Sequence, residues 1–201
     1  MTILSAPDLK LRLKDQSGKG LVVSPLLTFR QVGEASIDVR LGNEFLLPTR
    51  ELSGHMTYQA QTREKGYLLE NKFKRLRRDF GRPLYVHPHQ LVLGATLEFL
   101  RLPDDLCCYV IGRSSLGRTG LVIATATAVA PGFGGCITLE IVNTGEIPLP
   151  IYPGMRIAQL VFHQATGGAE YNGRFQCSVG PEPPLLSWDK EMTIWESARP
   201  R

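Results

Sequence analysis

Metal-ligand spacing is missing from this sequence. Its four cysteines, Cys107, Cys108, Cys136 and Cys177, include an adjacent pair and no C-x-x-C. That argues against a zinc site and leaves reduced thiols filling apolar space. Long apolar runs are missing too, since nothing approaches the roughly 20 residues of a membrane span. The opening MTILSAPDLK lacks the basic start and apolar stretch of a secretory signal, so the cytoplasm is the expected location. There is no internal repeat, heptad pattern or low-complexity tract. Charge of one sign is scarce: 23 Lys and Arg against 19 Asp and Glu leave a formal net charge of +4. Such a balance suits an anionic ligand, and also many proteins with none.

What is present predicts one all-β domain over residues 1–201, with enough chain to build a core without crosslinks. Twenty glycines and 14 prolines punctuate short apolar stretches such as LVVSP, SIDVRLG, CCYVIG, GLVIATAT, CITLEIVN and RIAQLVFH. Leu91, Leu93, Ala95, Leu97 and Phe99 alternate on one face, the period of a strand. The expected architecture is a distorted β-barrel or jelly roll with one or two short helices, one of them over 6–14. The Gly- and Pro-rich tail from about residue 165 is expected to be a mobile arm.

Two stretches carry concentrated positive charge. NKFKRLRRDF, 71–80, sets five basic residues around Phe73 and Leu76. With no nucleic-acid motif beside it, a solvated loop or helix is favoured over a nucleic-acid surface. GRSSLGRTG, 112–120, is more specific. Two guanidinium forks and two hydroxyls match the oxygens of a phosphate. A serine capping a short helix there would turn free backbone N–H groups toward an anion. Ser114 and Arg118, four apart, would share a face of that helix.

In CITLEIVN, Ile137, Leu139 and Ile141 face one way and Thr138 and Glu140 the other. A lone mid-strand glutamate is either a solvated or ion-paired residue, or a carboxylate held in a cleft. In the second case burial raises its pKa and lets it shuttle a proton. The preceding turn, APGFGG at 130–135, lets backbone approach a ligand closely.

GRSSLGRTGL, followed by APGFGGCITLEIVNTGEIPLPIYPGMRIAQLVF, resembles the dCTP deaminases of the trimeric dUTPase superfamily. LSAPDL, GLVVSP, ASIDVRLGNEF and LYVHPHQLVLGATLEFLRLPDDL resemble the same family's earlier segments, so the likeness covers about residues 3–180. It implies a dUTPase-like distorted barrel, assembled as a homotrimer, that converts dCTP and water to dUTP and ammonia without zinc. It also implies roles. Arg113, Ser115 and Arg118 would hold phosphates. Ser114, which would also reach phosphate, would position the attacking water with the backbone carbonyl of Ala126. Glu140 would move the protons. Tyr171 and Arg174 would close over the triphosphate, with Ser178 at a further tail position where the family commonly has glutamine. Magnesium would ride on the triphosphate, as its preference for oxygen ligands favours.

The resemblance breaks at TATAVAPG, 125–132, where Ala130 replaces the aspartate that in the family meets the 3′-hydroxyl and supports a hydrolytic water. A methyl group can do neither. The expectation is therefore dCTP deamination without hydrolysis of dUTP. The alternatives are a non-catalytic triphosphate-binding relative and a deaminase of another pyrimidine nucleotide.

Overall fold

Short apolar alternations interrupted by glycine and proline produce short strands. The computed structural model describes residues 2–49, 67–68, 72–124, 128–168, 171–173 and 175–186. Helix α1, Ala6–Lys14, starts where the sequence predicts. The Ser5 hydroxyl donates to Asp8 Oδ2 at 2.6 Å, and Leu9, one turn in, is fully enclosed. The strands follow as β1 (Val22–Ser24), β2 (Ile37–Arg40), β3 (Glu44–Pro48), β4 (Tyr67–Leu68), β5 (Phe73–Arg77), β6 (Leu84–Val86), β7 (Leu91–Ala95) and β8 (Phe99–Arg101). Next come β9 (Leu106–Gly112), helix α2 (Ser114–Gly117), β10 (Leu121–Ile123), β11 (Ala128–Val129) and β12 (Gly134–Gly135). The last are β13 (Thr138–Asn143), β14 (Leu149–Ile151), β15 (Arg156–Gln164) and β16 (Leu185–Leu186).

The chain divides into two units, 1–47 with 75–182, and 48–74 with 183–201. In the second, β4 and β16 pair antiparallel, and Thr49 donates to the Lys72 carbonyl. The first holds the core. Its strands form open antiparallel sheets rather than a closed barrel: β10-β13-β7-β3-β5, β11-β9-β15-β2, β1-β8-β12 and β14-β6. Phe45, Leu139, Ile141, Leu160 and Phe162 are completely buried, each contributing about 1.5–3 kcal/mol of apolar burial.

Two local expectations change. The alternation through 91–99 is not one strand, because the chain turns a corner between β7 and β8. There the Thr96 hydroxyl donates to the Glu98 carbonyl at 2.8 Å and accepts from the Ile137 N–H at 2.9 Å. This lets the chain leave β13 and join β1 and β12 instead. The basic run also forms a strand, β5, with Lys74, Arg75 and Arg77 exposed. Arg75 pairs with Glu44 at 3.1 Å.

The cysteines are all free thiols; Cys108 and Cys136 are buried, Cys107 is half-buried and Cys177 is exposed. Among the described residues, no helix is long and apolar enough to cross a membrane.

Candidate active site

The serine–arginine stretch folds between two sheets. β9 ends at Gly112, α2 makes a single turn, and β10 begins at Leu121. Such a short helix has little stability of its own. Leu116 packs its apolar side chain against the core, and Arg118 N–H donates to the Ser114 carbonyl at 3.0 Å. Neither serine is the N-cap: Arg113 occupies that position, with extended backbone and no side-chain cap. Ser114, Ser115 and Arg118 are exposed on this turn. The Arg118 guanidinium makes no ion pair among the described residues.

Arg113, half-buried at the start of this turn, faces a carboxylate. Its Nη1 lies 3.0 Å from Asp38 Oδ1, an ion pair without hydrogen-bond alignment.

Strand β10 carries the turn to the glutamate. It pairs with β13 in the register Ile123↔Ile141, and Ala124 N–H donates to the Glu140 carbonyl at 2.8 Å. Leu139 and Ile141 point into the core, so Glu140 takes the opposite face as the alternation predicts. There it is half-buried, and desolvation raises its pKa above the usual 4.5. Residues 125–127 follow directly, so Ala126 lies outside the described residues. Ala130 is exposed beyond β11, its carbonyl accepting from Phe133 N–H across the 130–133 turn.

Where it is described, the tail is hydrogen-bonded to the turn and strand before it. Tyr171 N–H donates to the Pro131 carbonyl at 2.9 Å, and its ring meets Phe133 edge-on with centroids 5.6 Å apart. Cys177 N–H donates to Gly134, and Glu182 N–H to the Thr138 hydroxyl, one residue pair along from Glu140. Ser178 is buried, and its hydroxyl donates to the Cys136 carbonyl at 2.8 Å. That hydroxyl fastens the tail to the segment that leads into β13. Arg174 lies outside the described residues.

Two buried carboxylates escaped the sequence reading. Glu98 has no exposed surface; it accepts from Gln31 Nε2 at 3.0 Å and Arg40 N–H at 2.8 Å, and burial raises its pKa. Asp38 gathers Arg113, Arg156 and Gln159. Both stand alone between apolar neighbours, the signal that singled out Glu140.

The profile of the family described as dCTP deaminase-like matches residues 3–165. A "dCTP deaminase, dUMP-forming" of Dictyoglomus turgidum is 40% identical over 170 residues, covering 84% of this chain and 83% of that protein. A "dCTP deaminase" of Natronomonas pharaonis is 38% identical, covering 94% of this chain and 97% of its own. Among solved structures, 2'-deoxycytidine 5'-triphosphate deaminase from Agrobacterium tumefaciens has a similar fold, with TM-score 0.59 at 22% identity. That match covers 81% of this chain and 48% of the other. With the profile spanning most of the sequence and relatives of this identity along nearly its full length, the chain belongs to the dCTP deaminase-like family.

Proposed function

We propose that this chain is a dCTP deaminase, acting on the nucleotide in the cytoplasm as a homotrimer. The observation that carries the reading is Glu140: a half-buried carboxylate with a raised pKa, on the strand next to the one that follows the serine–arginine turn. A group of that kind can accept a proton near neutral pH and give it back.

Water adds its oxygen to C4 of the cytosine while Glu140 takes one proton and passes it to ring N3. The second water proton then travels to the amino group, the C4–N bond breaks and ammonia leaves, so that C4 becomes a carbonyl. Ser114 and the Ala126 carbonyl orient the water. Arg118 and Ser115 hold the phosphates, and Tyr171 and Arg174 cover them. These donors match phosphate oxygens and not a cation, so magnesium enters as part of the substrate, held by the triphosphate.

The product is the finer point. The Dictyoglomus turgidum relative is named as dUMP-forming and the Natronomonas pharaonis one is not. Ala130 supports release of dUTP, because no carboxylate stands there to assist a second hydrolysis.

Incubating the purified protein with dCTP and measuring ammonia tests the activity. Ammonia production is the expected result, and its absence with retained dCTP binding would favour the non-catalytic alternative. Light scattering should report about three times the 22.3 kDa chain mass. A fully active monomer would overturn the trimer.

A further inference from the structure

Asp38 sits on β2 between Ile37 and Val39, both completely buried, and is itself only 8% exposed. An isolated carboxylate there would be costly, so its partners matter. Arg156 Nη1 donates to Oδ2 at 2.9 Å and Gln159 Nε2 to Oδ1 at 3.1 Å. Both come from β15, whose Gln159 is the register partner of Asp38. They join neighbouring strands, as cross-strand pairs commonly do.

The third partner is of another kind. Arg113 follows β9, which lies on the opposite side of β15 from β2. Its side chain therefore passes over β15 to place Nη1 3.0 Å from Asp38 Oδ1. That spans two interstrand spacings, roughly 10 Å, which only a long side chain covers. The single-turn helix that begins at Ser114 has Leu116 as its apolar anchor and gains a second fixed point through Arg113.

We propose that Asp38 is a positioning residue: through Arg113 it fixes the start of α2, and so sets where Ser114, Ser115 and Arg118 present their hydroxyls and guanidinium. Arg113 acts on the helix, and contact with phosphate falls to Arg118 and the serines. The proposal rests on the reading of α2 as the nucleotide-binding turn.

Two measurements on the full chain test it: hydrogen exchange of the 116–120 amides, and dCTP affinity by calorimetry. Asp38→Asn and Arg113→Ala should each speed exchange at 116–120 and weaken dCTP binding by about tenfold to a hundredfold, as small misplacements do. The double variant should be no worse than Asp38→Asn alone, because that change already breaks the Arg113 link. Arg156→Ala should leave exchange at 116–120 unchanged. Additive losses in the double variant would overturn the proposal. So would weaker dCTP binding in Arg113→Ala with unaltered exchange, which would mean direct phosphate contact. If Asp38→Asn fails to fold, exchange in Arg113→Ala decides alone. If the wild-type protein does not bind dCTP, the functional reading fails, while the exchange comparison still decides the role of Asp38.

Discussion

Glu140 and Glu98 are both carboxylates with raised pKa values, yet their surroundings separate them. Glu98 is fully enclosed and surrounded by Gln31 and the Arg40 backbone and guanidinium, so it braces the corner between β7 and β8. Glu140 is only half-buried, and what shifts its pKa is desolvation. The sign of the pH effect follows. As pH falls through the raised pKa, Glu140 is protonated and can no longer take the proton of water. The acid limb of kcat/KM should therefore lie above the ordinary glutamate value of 4.5. Glu140→Gln should remove that limb and lower kcat by about 10²–10⁴-fold while dCTP still binds. A pH–rate profile of both proteins checks this, and a wild-type rate in the variant would take Glu140 out of the mechanism. For stability the sign is the same for both groups. A raised folded pKa favours the native state most at low pH, and that contribution is lost as pH rises from the unfolded value through the folded one.

Elements whose signals are local were legible in the sequence. Helix α1 runs over 6–14 as expected, and β13 buries Leu139 and Ile141 while turning Glu140 away, because alternation alone decides which face is enclosed. The 91–99 alternation misled, since the corner at Thr96 is made by hydrogen bonds to Ile137, far along the chain. Arg113 was legible as a cation near α2 but not as the partner of Asp38, because only the β9-β15-β2 order brings them together. The turn from α2 into β10 offers a test at this scale. Gly120 has φ +92°, and a Cβ there would lie 2.8 Å from the Gly145 nitrogen. Gly120→Ala should thus cost about 1–3 kcal/mol from backbone strain alone, lowering the melting temperature by several degrees. Gly117, inside α2, has open space where its Cβ would stand. Gly117→Ala should leave stability equal or raise it by up to about 1 kcal/mol, through helix propensity. Calorimetric melting of the two variants, read side by side, distinguishes a conformational demand at Gly120 from general intolerance of this turn.

For the molecule as a whole, the open question is where the reaction stops. A dUMP-forming enzyme must bring a second water to the triphosphate after ammonia has left, and that water needs an acceptor for its proton. The resemblance puts an aspartate at the position that Ala130 fills here. In this chain Ala130 is exposed, beyond β11 and before the Gly132 turn, and its backbone carbonyl accepts from Phe133 N–H. A charged hydrogen bond lost at such a place is worth about 1.5–3 kcal/mol, or one to two factors of ten in affinity for the 3′-hydroxyl. In the proposed mechanism Arg118 and the serines hold the phosphates and residue 130 does not, so nucleotide binding should persist. The expected outcome is that dCTP yields ammonia without a matching release of pyrophosphate, and that a 3′-deoxy analogue binds nearly as well as dCTP. Ala130→Asp should restore preference for the hydroxyl and introduce pyrophosphate release from dUTP. Parallel assays of ammonia and pyrophosphate on both proteins decide the matter. Equal yields of the two from the wild-type chain would show that a group other than residue 130 activates the second water, and the product would then be dUMP.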